Sequence, residues 1–412
     1  MSRDCGVLVT GLGAMTPLGG NAADSWQALL DARSGVRSLY EGHTGHEGRP
    51  EELPVRIAGS VSADPVEVLG RVHARKLDRG EQLAVAAARE AFQDAGRPQV
   101  EPERLAVVVG TGIGGVLSTL GQNEVYERSG MRKLSSYAVP MLMPNGPAAW
   151  VSIDLGARGG ARSPVSACAS GAESIALGLD LIRLDRADVV VVGGTEASLH
   201  PFIVAAFAQM KALSRQEGDP AAVSRPFDAA RSGFVMAEGA AVLVLERAEF
   251  ARARGARVYG AVAGAAVTSS ARHISASDSE GQVLAIRAAL RDAELEPRDI
   301  GHVHAHATST PGGDLAEAEA VAKALGDHPV VTATKSMTGH MLGASGAFGA
   351  MSALLALHHG VVPATRNLDE LDPGVQLDVV SGENRTGRWD AALANSFGFG
   401  GHNVSLVLTR TA

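Results

Sequence analysis

Cys168 lies in SPVSACASGAESIALGLDLIRLD, where a β-prone run passes through a turn of small residues into a long apolar helical pattern that begins at the cysteine. At a helix N-terminus, unpaired backbone N–H groups and the positive end of the macrodipole favour thiolate over thiol, so this placement predicts a pKa below the roughly 8.5 of a free cysteine. Ala167, Ala169, Ser170 and Gly171 leave space for a substrate carbonyl. Taken alone, the segment fits a buried cysteine acting as a small hydrophobe equally well. Two histidine loops change the balance. HATSTPGGDLAEAEA at 306–320 puts His306 at the end of a strand, with hydroxyls at Thr308, Ser309 and Thr310 and a helix beginning near Asp314. KSMTGHMLGASGA at 335–347 supplies Lys335 and His340 in a second small-residue loop before a helix. Strand ends of an α/β sheet are where sites form, so one pre-helical cysteine and two such histidines suggest a Cys–His–His site.

Other motifs compete. His302, His304 and His306 alternate along one strand and point to one side of it, a spacing that can present imidazoles to a metal. A metallohydrolase also wants carboxylates on other strand ends, whereas Asp314 falls on the following helix; one working histidine with packed neighbours is the better reading. The loops GLGAMTPLGG at 11–20 and GTGIGG at 110–115 suggest a dinucleotide fingerprint. In the first, Thr16 replaces the third glycine; the second lacks a clear strand–turn–helix frame and a later acidic residue, so both read as structural turns.

These residues must be carried by an α/β framework. Strand-like runs at 7–12, 105–110, 188–194, 258–267, 302–307 and 329–334 alternate with amphipathic helical runs near 22–32, 81–95, 282–293 and 314–325. The scheme repeats in two halves, 1–256 and 257–412, and 40–53 reads as a surface loop. The chain has 412 residues, 45% hydrophobic and 20% charged, with 49 glycines and 4% aromatics, a soluble globular composition rich in tight turns. Cys5 and Cys168 are too few for a disulfide framework, and no signal-like N-terminus or membrane-length apolar run occurs, which predicts a cytoplasmic protein. The net charge of −8 argues against general nucleic-acid or anionic-membrane binding.

Together, SACASG at 166–171, HATSTPGGD at 306–314, KSMTGH at 335–340 and NSFGFGGHN at 395–403 resemble the signature set of β-ketoacyl-acyl carrier protein synthases, nearest to the elongating class II type. VTGLGAMTPLG, RKLD, GTGIGG and RPFDAARSGFVMAEGA extend the resemblance over nearly the whole chain. It implies a thiolase-like fold, two similar α/β halves layered αβαβα, Cys168 in the first and both histidines in the second. It implies a decarboxylative condensation: Cys168 accepts the acyl group, with its own N–H and that of Phe399 as the oxyanion hole, and His306 and His340 hold a malonyl thioester oxygen as CO2 leaves. Lys335 and Glu317 would support His306, Thr308 and Thr310 would flank the phosphopantetheine arm, Phe399 would gate the acyl pocket and Ile113 would line it. No cofactor or metal is implied beyond that arm.

The chain departs from the family pattern at His304, usually Asn, and at Ala307, usually Gly, which puts plain fatty-acid elongation in doubt against a polyketide or polyene pathway. A chain-length-factor-type binding subunit shares the fold but lacks the cysteine, and a degradative thiolase needs a second, C-terminal cysteine; this chain keeps Cys168 and has no later cysteine. The implied partners are an acyl carrier protein and a second subunit, either a copy or a chain-length factor. By family position, Arg75, Lys76, Arg132, Lys133 and Lys211 would form a basic landing site for the acidic carrier.

Overall fold

A computed structural model of the protein describes residues 6–39 and 53–411. Most of the loop expected at 40–53, and Cys5, lie outside the described residues. Strands β1 (Val7–Met15), β2 (Leu105–Thr111), β3 (Ala161–Arg162), β4 (Val189–Glu196), β5 (Gly239–Arg247) and β6 (Gly260–Ser269) are followed by β7 (His302–His304), β8 (Val330–Thr332), β9 (Asp378–Val379), β10 (Ala391–Gly398) and β11 (His402–Thr409). Every residue of β1, β2 and β4 is buried, as near-continuous apolar runs covered on both faces must be.

The strands follow one order, β9-β8-β7-β10-β11-β6-β1-β5-β4-β2-β3. From β1 outward the pairings run antiparallel, antiparallel, parallel, parallel, through β5, β4, β2 and β3. From β6 outward the same succession recurs through β11, β10, β7 and β8. The two sets meet only where Leu8 faces Ala261 and Val9 faces Gly260.

The principal helices are α1 (Arg79–Asp94), α2 (Val116–Ser129), α3 (Ser170–Arg183), α4 (Ser279–Asp292), α5 (Pro311–Leu325) and α6 (Ser345–His359). Asp78 and Glu81 close a capping box that starts α1. Val190 and Val192 of β4 face a central core shared with α3 and α6, while Val189 and Val191 face a second core under α1. Ala392 and Ala394 of β10 enter the same central core, and Leu393 packs with α4 and α5 in a third. The period of two along each strand therefore produces five layers, with α3 and α6 as the filling. Those two helices approach closely because glycines face alanines: a Cβ on Gly346 would lie 2.9 Å from that of Ala172, and one on Gly171 would lie 3.0 Å from that of Ala347. The fold is thus the α/β, thiolase-like arrangement expected. The strand holding His302 ends at His304, shorter than the six-residue run suggested, which frees His306 to lie in a loop.

Candidate active site

The helix expected to begin at Cys168 begins two residues later; Cys168 occupies a single 3₁₀ turn, Ala167–Ala169, ahead of α3. Ala167 holds a φ of 52°, a left-handed conformation costly for a residue with a Cβ. Ser170 stabilises the turn: its hydroxyl oxygen accepts from Ser166 N at 3.0 Å and the hydroxyl reaches the Ala167 carbonyl at 2.7 Å. The Ser396 hydroxyl on β10 donates to the Cys168 carbonyl at 2.9 Å, tying the nucleophile turn of one half to the other.

His340 Nε2 lies 3.0 Å from Cys168 Sγ, and its Nδ1 lies 3.0 Å from the hydroxyl of Ser345, the first residue of α6. The His306 and His340 rings meet edge to face with centroids 5.5 Å apart. Lys335, buried, donates to the His306 carbonyl and sits 3.5 Å from His306 Nδ1. An ammonium can only donate, so His306 Nδ1 is the acceptor and the ring proton belongs on Nε2. Glu317, on α5, accepts from the backbone N–H groups of His306 and Ala307 at 2.8 and 2.6 Å, and from Asn395 Nδ2 at 3.2 Å. Cys168, His306, His340, Lys335 and Glu317 are thus one connected group.

Burial governs its charges. It lowers His306 and His340 well below the usual imidazole range, with the neighbouring Lys335 charge acting in the same direction, so both rings are neutral. Burial also brings Lys335 down to about 8 against the opposing pull of Glu317, Cys168 and Asp314. The Cys168 thiol is pushed up to about 12 by burial, which outweighs Lys335 and the backbone N–H groups of Phe399 and Cys168 that favour the thiolate. The expectation of a lowered thiol pKa is therefore corrected: desolvation exceeds the helix-end effect, and the resting group is a neutral thiol against a neutral imidazole. The same two N–H groups bear on the sulfur.

A cavity of about 570 Å³ opens onto this group. Ile113, Thr308, Thr310, Lys211 and Phe399 all line it, and the Thr308 and Thr310 hydroxyls lie 3.0 Å apart. Lys211 is exposed at the cavity lining, whereas Arg75, Lys76, Arg132 and Lys133 are not among the lining residues. Arg75, Arg132 and Lys133 are exposed; Lys76 is half-buried, its ammonium 5.7 Å from the centre of the Tyr137 ring.

Sequence reasoning missed Glu196. Its Oε2 accepts from Gly112 N at 2.8 Å and Gly343 N at 3.3 Å, and its Oε1 from the Thr111 hydroxyl at 3.3 Å, joining the cavity wall to the loop after His340. A carboxylate at the end of a strand that opens with four valines, VVVVGGTE, was the available signal. The glycine loop GTGIGG does stand in a strand–turn–helix frame, between β2 and α2, contrary to the reading above. Its amides are nonetheless occupied: Gly112 N by Glu196 and Gly114 N by the Thr111 oxygen at 3.1 Å. Ser345 and Asn395 were also unmarked. His302 Nδ1 lies 2.9 Å from the Val330 carbonyl and His304 Nε2 lies 2.9 Å from the Thr334 hydroxyl, so neither shares a ligand set with His306. Among the described residues, no group of three or more His, Cys, Asp or Glu could hold a metal, and no helix is long and apolar enough to cross a membrane.

A neutral thiol–imidazole pair, two amides at the sulfur and a second neutral imidazole facing the same cavity define a thioester-condensing acyltransferase. Sequence comparison agrees: residues 5–251 match the β-ketoacyl synthase N-terminal domain and residues 259–369 its C-terminal domain, so the chain belongs to the β-ketoacyl synthase family. It is similar to the 3-oxoacyl-[acyl-carrier-protein] synthase 2 of Mycobacterium tuberculosis, 42% identical over 408 residues covering 98% of this chain and 97% of the relative. Among solved structures it resembles a β-ketoacyl synthase from Burkholderia phymatum, with a TM-score of 0.90, 32% identity and coverage of 98% and 99% of the two chains. The ishigamide ketosynthase/chain length factor gives a TM-score of 0.89, 31% identity and the same coverage, 98% and 99%. The chain is a condensing enzyme of the elongating ketosynthase type, not a thiolase, and it retains the cysteine expected to be missing from a non-catalytic subunit.

Proposed function

We propose that Cys168 carries the growing acyl chain and that His306 and His340 promote loss of CO2 from a malonyl thioester, both substrates arriving on the phosphopantetheine arm of an acyl carrier protein without further cofactor. In acyl transfer, Cys168 Sγ attacks the thioester carbonyl. The oxygen charge develops against the N–H groups of Cys168 and Phe399, and the thiol proton passes to the departing carrier thiolate. In the second half, the malonyl carboxylate leaves as CO2 and its C–C bond electrons pass into an enolate, whose oxygen takes hydrogen bonds from the Nε2–H of His306 and His340. The enolate carbon then attacks the acyl-Cys168 carbonyl. The Cys168 thiolate leaves and takes a proton from solvent water, and the product is a 3-ketoacyl chain two carbons longer.

The observation that carries this reading is the contact of His340 Nε2 with Cys168 Sγ at 3.0 Å beside a His306 whose Nδ1 faces an ammonium. Thr308, Thr310, Ile113 and Phe399 line the route of arm and acyl chain, and Lys211 with Arg75, Lys76, Arg132 and Lys133 receives the carrier. The halves 1–256 and 257–412 form one catalytic unit that works in the cytoplasm as a dimer, with a copy of itself or with a chain-length-factor-like subunit. The relatives' names support the carrier, and the ishigamide relative supports the second kind of partner. The pathway is fatty-acid or polyketide and polyene elongation. The test is intact-mass and peptide-mass measurement after exposure to a panel of acyl carrier proteins, with and without candidate subunits. The acyl mass is expected on Cys168 and absent from Cys168→Ala; an acylated and chain-extending alanine variant overturns the assignment.

A further inference from the structure

His304 is a buried imidazole that the reaction described above does not use. Only 2% exposed, it sits on β7 two residues before His306. Its Nε2 is 2.9 Å from the Thr334 hydroxyl, and Thr334 directly precedes Lys335. The Thr334 carbonyl in turn accepts from Met337 N at 2.9 Å and Thr338 N at 3.1 Å, closing the helical turn that begins at Lys335. The other face of the ring meets α6 at Gly349. A Cβ there would fall 2.9 Å from both His304 Cε1 and Nδ1, closer than real side chains approach.

His304 Nδ1 is buried with no hydrogen-bond partner. Burial, together with the Lys335 charge, keeps the ring neutral. A neutral imidazole has one N–H, and an unpaired buried donor costs more than an unpaired lone pair, so the proton lies on Nε2 and is donated to Thr334. The ring is therefore clamped between α6, which contributes Ser345 to His340, and the turn that presents Lys335. It braces the stems of the two loops whose tips, Lys335 and His306, must meet. Asparagine, the usual residue at this position in the family, reaches less far and would leave space beside Gly349.

We propose that His304 is a positioning residue for decarboxylation, holding Lys335 against His306 through Thr334, and that Gly349 is its obligate companion because only glycine leaves room for the ring. The proposal rests on the reading of His306 and Lys335 given above. The experiment measures two rates on the full-length enzyme: CO2 release from malonyl-loaded carrier protein, and loading of Cys168 from an acyl carrier protein. The variants are His304→Asn, Thr334→Val, Gly349→Ala and His304→Asn/Gly349→Ala, with His340→Ala as the reference for the site.

His304→Asn and Thr334→Val should each lower kcat for CO2 release by roughly tenfold, the loss of one buried hydrogen bond, while KM and Cys168 loading stay within about twofold. Gly349→Ala should cause the same selective loss in the parent but no further loss in the His304→Asn background, where the methyl occupies vacated space. Parallel losses in loading and CO2 release, unchanged CO2 release in the single variants, or an equal effect of Gly349→Ala in both backgrounds would overturn the proposal. Parent-rate CO2 release by His340→Ala would instead overturn the reading of the site itself, independently of His304.

Discussion

Lys335 gives the site a pH limit that can be calculated. As an ammonium it donates to the His306 carbonyl and stands 3.5 Å from Nδ1, which keeps the ring proton on Nε2 for the substrate. Facing it are Glu317 and Asp314, which favour its charge, the Cys168 thiol, neutral in this range, and the neutral imidazoles of His304, His306 and His340; burial nevertheless sets its pKa at about 8. Above that value the amine has a lone pair and can accept from Nδ1, so the ring proton is no longer confined to Nε2. If decarboxylation follows the ammonium fraction, its rate at pH 9 is about a tenth of the plateau and falls about tenfold for each further unit. Lys335→Met should lower the plateau by roughly 10- to 150-fold, the equivalent of a charge-assisted hydrogen bond of about 1.5–3 kcal/mol, and should erase the alkaline limb. The assay is CO2 release from malonyl carrier protein between pH 6 and about 10 at constant ionic strength, in a Cys168→Ala background that stops condensation, with spontaneous loss subtracted. A rate that stays flat to pH 10 with Lys335 present, or a methionine variant that keeps a limb near pH 8, refutes the reasoning.

Two further outcomes test the framework and the docking surface. Glu81 accepts from Asp78 N at 2.8 Å, and burial, reinforced by the Asp78 charge and only partly offset by Asp78 N and Trp150, raises its pKa to about 8. A carboxyl raised on folding stabilises fully below its unfolded pKa and loses that contribution as pH rises through the folded value; from pH 7 to 8 the loss is up to about 1.4 kcal/mol, so Glu81→Gln should flatten the fall in Tm over that interval, and an unchanged slope rejects it. Reversing Lys133 and Lys211 to Glu should weaken use of acyl carrier protein steeply at low salt, where screening is weak, and barely touch a small pantetheine substrate, whereas equal losses with both substrates exclude an electrostatic docking role.

The chemistry was more legible in the sequence than the electrostatics. Cys168, His306 and His340 stand in small-residue loops beside helices, and local pattern suffices to mark such positions; the structure brings all three to one cavity. The apolar run of β4 likewise marked a strand covered on both faces, whereas the layering came only from the family resemblance and β10 was not read as a strand. The thiol pKa was read in the wrong direction because a helix end is a local feature, whereas desolvation depends on everything packed around the sulfur. Glu196 escaped because its role is defined by partners distant in the chain: it holds Gly112 and Gly343, residues 84 and 147 positions away. His304 was visible as a departure from the family pattern, but only its partners elsewhere in the chain, Thr334 and Gly349 on α6, give that departure a physical context.

The nucleophile turn and its partners come together from opposite ends of the chain. Cys168 and His340 are separated by 172 positions, and the Phe399 amide that bears on the sulfur lies between β10 and β11, the final hairpin of the sheet. During synthesis, then, the thiol is made long before anything that could activate it. A partly folded chain cannot capture an acyl group at this site, because the hole that would receive the oxyanion and the donor that would assist it have yet to be translated. Acylation of Cys168 is consequently a readout of completed folding: in a refolding experiment, competence for acyl transfer should arise with the pairing of the last two strands, however early the first half acquires its own core.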